Sequence, residues 1–220
     1  EQRDAVTEGK SPEGETEKRQ VVARIKEEIG RLNELVTNFI MYGKPPDPQR
    51  ALVRIPEIVE SVLRMAEDRF RAQRIVCRRE FAGGGEAMVD PDMIRRAVVN
   101  LVANAIDAMP HGGELTVSAG PRDDGRYAIV VGDTGLGIEP ENRERIFEPY
   151  FTTKESGLGL GLILTKKIVD AHGGEILVDT EPGNGTRIAV ILPTPTLCAG
   201  WRRQTGLMRS SAPTTTQRRC

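Results

Sequence analysis

The feature that most constrains the fold of this chain is a short run in which glycine alternates with leucine, directly before a helical pattern. The run consists of Gly157, Leu158, Gly159, Leu160, Gly161 and Leu162. Alternate glycines let the backbone approach a ligand closely, and the N-terminus of a helix presents free N–H groups and the positive end of its dipole. A loop of this kind suits a polyphosphate. A single glycine-rich loop is a weak signal, so the interpretation depends on the rest of the chain.

A polar stripe is predicted on the long helix that begins after Asp90. Asn100, Asn104 and Asp107 recur at positions i, i+4 and i+7, so they share one side of this helix beside its apolar face. An Asn carboxamide offers an oxygen for a hard cation such as Mg²⁺ and an NH₂ group for a phosphate. The alternative is a solvated helix face, although such faces usually carry Lys and Glu because Asn lowers helix propensity. The stripe alone leaves both interpretations open.

A carboxylate followed by two glycines stands at the end of a predicted strand. Asp133 is followed by Gly135, Gly137 and Ile138, so the backbone can turn sharply and approach a flat ligand. The Asp133 carboxylate could then accept a hydrogen bond from an amino group such as that of adenine. An ordinary Asp-Gly turn is the alternative. The three elements in this order, with the segment 147–154 between the second and the third, form a strong signal.

The order of the predicted elements indicates the fold class. Apolar spacing and turn residues predict an extended stretch at 51–55, a helix at 56–66, a strand at 75–81, a helix at 91–109, a hairpin of strands around 115–119 and 127–131, a helix at 160–171, and closing strands around 176–178 and 188–192. This order predicts an α+β fold, a two-layer sandwich in which a mixed sheet carries its helices on one face.

The remaining segments predict the domain organisation. Residues 1–15 are polar and predict a flexible leader, and residues 194–220 predict a mobile basic tail, whereas the globular domain spans 46–193. Between leader and domain, the segment 16–45 carries a heptad-like apolar stripe that predicts one long helix. The stripe consists of Val22, Ile25, Ile29, Leu32, Val36 and Phe39. Such a helix either packs on its own domain or needs partner helices from a second copy.

Charge and cysteine content exclude several classes of function. Lys and Arg number 31 against 32 Asp and Glu, which gives no general attraction to nucleic acid or to an anionic membrane surface. No run approaches the roughly 20 apolar residues that span a bilayer, and no secretory signal is visible. The three cysteines are odd in number and lack metal-ligand spacing, which favours a reducing cytoplasm.

Four segments together resemble the N, G1, F and G2 boxes of sensor histidine kinases. The segments are 100–108, 133–138, 146–154 and 157–162, and their Asn-Ala-Ile-Asp-Ala and Pro-Tyr-Phe-Thr-Thr-Lys variants resemble the nitrogen-regulation branch. These kinases belong to the wider superfamily of gyrase, heat-shock chaperone, histidine kinase and mismatch-repair ATPases. The resemblance extends over about residues 16–193 and implies a Bergerat-type ATP-binding fold preceded by a long dimerisation helix.

The resemblance also implies a role for each site residue. Asn104 would bind Mg²⁺, Asn100 and Lys154 would approach the phosphates of ATP, Asp133 would hold adenine with help from Thr186, and segment 138–157 would form a mobile lid. The residues that it places at the nucleotide are Asn100, Asn104, Asp107, Asp133, Gly135, Gly137, Ile138, Lys154, Gly157, Leu158, Gly159, Leu160, Gly161, Leu162 and Thr186.

The function implied is transfer of the γ-phosphoryl group of ATP to a histidine and then to an Asp of a response regulator receiver domain. Residues 18–42 would form a homodimer in the intact protein, as part of the second helix of a phosphotransfer hairpin. The ATPase members of the superfamily carry a base for water where this chain has Asn100. An amide cannot take a proton, so transfer to an imidazole is favoured over hydrolysis.

The sequence departs from the family at the phosphoacceptor. The only histidines, His111 and His172, follow predicted helices and are interpreted as turn or capping residues, so no catalytic residue is assigned. We interpret the chain as a fragment of a longer kinase, with a natural pseudokinase as the alternative. Two other functions stay open at this point: a non-catalytic regulatory module that responds to nucleotide, and an anti-sigma-type serine kinase, which the long helix disfavours.

Overall fold

The computed structural model describes residues 47–82, 86–154 and 157–193, with a few isolated helical positions between 19 and 43. The strands are β1 (Ala51–Arg54), β2 (Ile75–Phe81), β3 (Glu86–Val89), β4 (Gly113–Pro121), β5 (Arg126–Asp133), β6 (Glu175–Glu181) and β7 (Gly185–Pro193). The α-helices within these ranges are α1 (Ile55–Met65), α2 (Glu67–Gln73), α3 (Pro91–Ala108) and α4 (Gly161–Ala171). Two short 3₁₀ helices, Pro140–Asn142 and Arg145–Phe147, lie between β5 and α4.

The main sheet is mixed, and the α+β fold class predicted from the sequence is confirmed. Its strand order is β2-β4-β5-β7-β6, where β2 runs parallel to β4 and every other pair is antiparallel. Side chains alternate along β4 and β5, so that Leu115, Val117, Ile129 and Val131 are buried in the core. The antiparallel pairing of β5 with β7 places the end of β5 beside the start of β7, and the candidate site lies at this end of the strands.

Two elements were not predicted from the sequence. β3 pairs with β1 in a separate antiparallel two-stranded sheet, and α2 continues the helical region beyond Ala66. α2 buries only Phe70, and β3 is four residues long with two buried positions, so both are too short for the periodic patterns on which sequence prediction depends. The consequence for the site is that an additional helix lies beside the C-terminal half of α3.

The helix α3 begins at a well-formed cap. The Asp90 side chain accepts hydrogen bonds from the backbone N–H groups of Asp92 and Met93, both at 3.0 Å, and Pro91 occupies the first turn. Capping of this kind satisfies donors that have no partner inside the helix. The apolar face of α3 is buried against the sheet and neighbouring helices, which leaves its polar stripe turned toward the candidate site.

Several predictions concern residues outside the described ranges. The leader at 1–15 and the basic tail at 194–220 lie outside them, and the helix at 16–45 is described only at isolated positions. Among these, the side chains of Val22, Ile25 and Ile29 are about half exposed. None of the helices in the described part of the chain is long and apolar enough to cross a bilayer.

Candidate functional site

The polar stripe on α3 is in contact with a cation. The Lys154 ammonium donates to the Asn104 side-chain oxygen at 3.0 Å and to the Asp107 carboxylate at 2.8 Å. Lys154 lies in the segment between β5 and α4, so this contact holds that segment against α3. The structure thus brings together three of the residues predicted for the site, although they are up to 50 positions apart in the sequence.

A second cation lies at the other oxygen of the same carboxylate. The Arg69 guanidinium, on α2, donates to Asp107 at 3.0 Å. Arg69 was not predicted as a site residue because α2 itself was not predicted. The sequence of α2 is highly charged and follows a predicted helix, and a charged stretch of this kind usually indicates a solvent-exposed face rather than a site.

The carboxylate of Asp133 lies at the end of β5, where its oxygen accepts a hydrogen bond from the backbone N–H of Gly135 at 2.9 Å. Burial raises the pKa of Asp133 above its ordinary value, and backbone donors from Gly135 and Thr186 oppose this rise. Thr186 is directly opposite Asp133 in the β5–β7 pairing. A partly desolvated carboxylate is a strong acceptor for a ligand that brings its own donor.

The loop after Asp133 crosses the C-terminal end of α3. The Leu136 backbone N–H donates to the Ala108 carbonyl at 3.0 Å, which fixes the loop to the last turn of the helix. Gly137 has a φ of +70°, and a Cβ atom there would lie 2.1 Å from the Glu181 carbonyl oxygen. Only glycine fits this conformation and this close approach. The loop therefore packs between α3 and the turn that joins β6 to β7.

Beneath this loop is a small polar cluster of two threonines, of which only Thr186 was predicted from the sequence. The hydroxyl of Thr180, on β6, accepts from the Ile138 backbone N–H at 3.0 Å and lies 2.9 Å from the hydroxyl of Thr186. Both threonine side chains are buried. A buried threonine in a strand is hard to distinguish from a valine position by pattern alone, which is why only the resemblance indicated Thr186. The cluster holds the loop that carries Ile138 against the sheet.

The glycine and leucine run meets the other segments of the site at two places. The Tyr150 backbone N–H donates to the Gly159 carbonyl at 3.0 Å, and Gly159 has a φ of +67° with no room for a Cβ atom beside the Tyr150 backbone. The Asn100 amide donates to the Gly161 carbonyl at 3.2 Å, where α4 begins. Among the described residues, no side chain caps the N-terminus of α4. Its first-turn N–H groups are therefore available beside the polar stripe of α3.

The other residues of the run have different environments. Leu160 is buried, Leu162 is partly buried against the core and Leu158 is about half exposed. Gly157 lies close to the Thr152 hydroxyl, which links the run to the segment that carries Lys154. The predicted lid 138–157 is described except at 155–156. The described contacts thus bring the predicted segments of the site together, with α3 touching Lys154, the start of α4 and the loop after Asp133.

The side-chain oxygens of the site could hold a magnesium ion only together with ligands from a bound nucleotide and water. Among the residues that the structure describes, no group of three His, Cys, Asp or Glu side chains could hold a metal by itself. The Asn104 side-chain oxygen already faces one cation, the Lys154 ammonium. Mg²⁺ commonly takes one or two protein oxygens and completes its shell with substrate phosphates and water. A single amide oxygen beside a polyphosphate site is compatible with this use.

The mixed sheet, the amide stripe and the glycine loops define a class of nucleotide-dependent proteins. The family model described as "Histidine kinase-, DNA gyrase B-, and HSP90-like ATPase" matches residues 89–196. This range includes the stripe on α3, the loop after Asp133, the segment with Lys154 and the glycine and leucine run.

Comparison with individual proteins shows to which family within this class the chain belongs. The chain is 32% identical over 171 residues to sporulation kinase D of Bacillus subtilis, covering 77% of this chain and 34% of that protein. It is 30% identical to the structure of a mycobacterial sensor histidine kinase, MprB, with a TM-score of 0.58, covering 66% of this chain and 97% of that one. The chain therefore belongs to the sensor histidine kinases and contains their ATPase-type catalytic domain. It spans about a third of the length of the curated relatives that it matches.

Two further similar structures were solved as complexes, one with a nucleotide analogue and one with a protein. Full-length ShkA, solved in complex with AMPPNP, is 26% identical with a TM-score of 0.71, covering 81% of this chain and 39% of that one. ThkA, solved in complex with the response regulator protein TrrA, is 25% identical with a TM-score of 0.65, covering 87% of this chain and 53% of that one. The resemblance to sensor histidine kinases stated from the sequence is confirmed.

Proposed function

We propose that this chain binds ATP with Mg²⁺ at the edge formed by α3, the loop after Asp133 and the N-terminus of α4, as the catalytic core of a two-component histidine kinase. The observation that carries the proposal is the position of Lys154, which bridges Asn104 and Asp107 on the same helical stripe whose Asn100 contacts the first residue of α4. Amide, ammonium and free backbone N–H groups converge there, and all three bind phosphate oxygens.

Each side chain has one task in this proposal. Asp133 accepts from the amino group of adenine, and Thr186 supports it through the paired strand. Asn100 and Lys154 contact phosphate oxygens, whereas Asn104 supplies an oxygen to the metal. When it is bound, Mg²⁺ neutralises part of the negative charge on the phosphates.

The reaction proposed is an in-line transfer. A histidine nitrogen of the phosphoacceptor helix attacks the γ-phosphorus, a P–N bond forms, the bond to the bridging oxygen breaks, and ADP leaves. The side chain at position 100 is an amide and cannot accept the proton of an attacking water. Hydrolysis is therefore expected to be slow, and transfer to a delivered imidazole is the favoured outcome.

The two histidines of the chain are poor acceptors. His172 is buried, and both of its ring nitrogens are engaged with backbone groups of Ile168 and Asp90. His111 lies in the turn after α3. We expect no acid-labile label on either histidine when the chain is incubated with γ-labelled ATP. A histidine-bearing helical hairpin from a related kinase, added separately, is expected to be labelled.

This experiment has a matched control. The same hairpin with its phosphoacceptor histidine replaced by Gln should stay unlabelled in the presence of this chain. Acid-labile phosphate on His111 or His172 would contradict the assignment of the acceptor to another segment. Binding of ATP without any transfer to hairpins of several related kinases would instead favour a regulatory module over an enzyme.

The proposed partner downstream is a response regulator receiver domain, whose Asp would take the phosphoryl group from the histidine. The complex of the similar protein ThkA with TrrA supports this choice. ATP is the phosphoryl donor, so the proposal places the domain in the cytoplasm. The alternative of an anti-sigma-type serine kinase has no support from the relatives found.

We further propose that the helix at 18–42 forms the homodimer of the intact protein. Ile25 and Ile29 lie four positions apart and are each 53% exposed. Burial of such a side chain stabilises by about 1.5–3 kcal/mol, so a second helix that covers both would stabilise a dimer. In sedimentation over a range of concentrations, we expect wild type to self-associate and the double variant Ile25→Lys, Ile29→Lys to stay monomeric.

The control for this assembly test lies on the same helix. Arg24→Gln changes an exposed polar side chain and should leave the association unchanged. Equal association of the double lysine variant and wild type would place the dimer contact elsewhere in the chain.

A further inference from the structure

We propose that Arg69, on α2, is a further phosphate-binding residue of the nucleotide site and faces the phosphate next to the ribose. The inference deepens the proposed function and depends on nucleotide binding at the edge described above. It rests on the ion cluster of Arg69, Asp107 and Lys154 and on the direction in which a nucleotide must lie along α3.

Asp107 contacts both cations of the cluster. One oxygen of Asp107 accepts from Arg69 at 3.0 Å, and the other accepts from Lys154 at 2.8 Å. A single carboxylate therefore binds two cations, one at each of its oxygens. Lys154 comes from the segment before α4 and Arg69 from α2, so the cations reach the stripe from two different elements. We call these three residues the Asp107 cluster.

The charge of the Asp107 cluster favours an anionic ligand. The Asp107 cluster carries two positive charges and one negative charge, so it keeps a net positive charge beside the amides of α3. Its side chains are 39–50% exposed, and ion pairs of this exposure contribute little to folding stability. A phosphate oxygen placed beside either cation, next to Asp107 rather than in its place, would instead gain short charge-assisted hydrogen bonds, and Arg is well suited to these because its planar guanidinium carries several N–H donors.

The loop after Asp133 and the N-terminus of α4 set the direction of a nucleotide along α3. The loop that carries Asp133 is fixed to Ala108, so the base lies at the C-terminal end of α3. The N-terminus of α4 contacts Asn100, two turns earlier on the same helix, and the terminal phosphates lie there. Asp107 is adjacent to Ala108. We therefore expect the cluster to lie beside the ribose and the first phosphate, with Arg69 reaching Asp107 from α2 and Lys154 reaching it from the segment before α4.

The test compares ligands that differ by one phosphate at a time. Affinities of wild type and Arg69→Ala are measured by calorimetry and competition for adenosine, AMP, ADP and AMPPNP. We expect the variant to bind AMP, ADP and AMPPNP about three- to tenfold more weakly, by a similar factor for each, and to bind adenosine as wild type does. Arg69→Lys, which keeps the charge but not the planar fork, is expected to recover part of this loss.

Arg71→Ala provides the matched control. Arg71 lies on the same helix, is 75% exposed, and pairs only loosely with Glu67 and Asp68, at 3.6 and 3.5 Å. It should leave all four affinities unchanged. Unaltered adenosine binding by Arg69→Ala also serves as an internal check that the variant is folded.

Each other outcome contradicts the inference in a different way. Equal weakening for adenosine and the nucleotides would show that Arg69 acts only through the packing of α2 on α3. Weakening that grows from AMP to AMPPNP would place Arg69 at the terminal phosphates, and unchanged affinities would remove it from the site. If wild type bound none of these ligands, the proposed function itself would be wrong, which is a distinguishable result.

Discussion

Replacement of Asp133 by Asn is expected to weaken binding of an ATP analogue by about 5- to 150-fold, which corresponds to about 1–3 kcal/mol. The carboxylate offers only acceptors, whereas the amide of Asn places a donor where the amino group of adenine also donates. Two donors opposed at a partly buried position leave both unsatisfied. Calorimetry with a non-hydrolysable analogue in the presence of Mg²⁺ measures the effect.

The same substitution should hardly affect the stability of the ligand-free chain. Burial raises the pKa of Asp133, so the fold disfavours its ionised form. The carboxylate therefore lowers folding stability at neutral pH, and this cost disappears as the pH falls through the raised pKa. A neutral amide removes this cost and keeps an oxygen for the Gly135 N–H, while it loses one acceptor. We expect melting temperatures of the two ligand-free proteins to differ by only a few degrees.

Asp123→Asn is the matched control for this variant. Asp123 is exposed in the turn between β4 and β5, at the opposite end of the strand from Asp133. Its substitution should change neither affinity nor stability. If Asp133→Asn bound the analogue as tightly as wild type, the base would have to lie elsewhere. If it unfolded the chain instead, Asp133 would be a structural residue.

The sequence predicts those parts of the candidate site whose residues are close together in the chain. Asn100 and Asn104 are four positions apart on one helix, so their shared face follows from helical periodicity. The contact between Lys154 and Asn104 spans 50 positions and depends on how the whole segment after β5 folds back. No periodicity encodes such a contact. The resemblance to a family supplied Lys154, and only the structure brought Arg69 to the same carboxylate.

In the fold, too, the elements with a local pattern were predicted and those that depend on distant contacts were not. β4 and β5 alternate between buried and half-buried positions over most of their length, and both were predicted because period-two alternation is a local signal. β3 is only four residues long and follows a run of glycines, and it is stabilised by pairing with β1 about 35 positions earlier, across registers such as Ala51 with Val89. Stability that comes from a distant partner leaves little trace in the segment itself.

His172 joins the ends of the two helices that carry the site. It is 2% exposed and closes the C-terminus of α4. Its Nδ1 lies 2.7 Å from the Ile168 carbonyl, which can only accept, so Nδ1 carries the proton and donates. Its Nε2 therefore holds the lone pair and accepts from the Asp90 backbone N–H at 2.9 Å. The neutral imidazole thus connects α4 to the residue that caps α3.

Replacement of His172 by Ala is expected to destabilise the chain by about 3 kcal/mol. The substitution leaves a cavity where a buried ring stood and removes the acceptor for the Asp90 N–H, and unsatisfied groups of this kind cost about 1–3 kcal/mol before the cavity is counted. Urea unfolding at neutral pH measures the difference.

His111→Ala, in an exposed turn, is the control and should change stability by less than about 0.5 kcal/mol. Equal stabilities of the two variants would mean that the contact between His172 and Asp90 does not hold the helices together. A loss confined to His172→Ala would show that the buried histidine is a structural link between α3 and α4, which is the reason that it is unavailable as a phosphoacceptor.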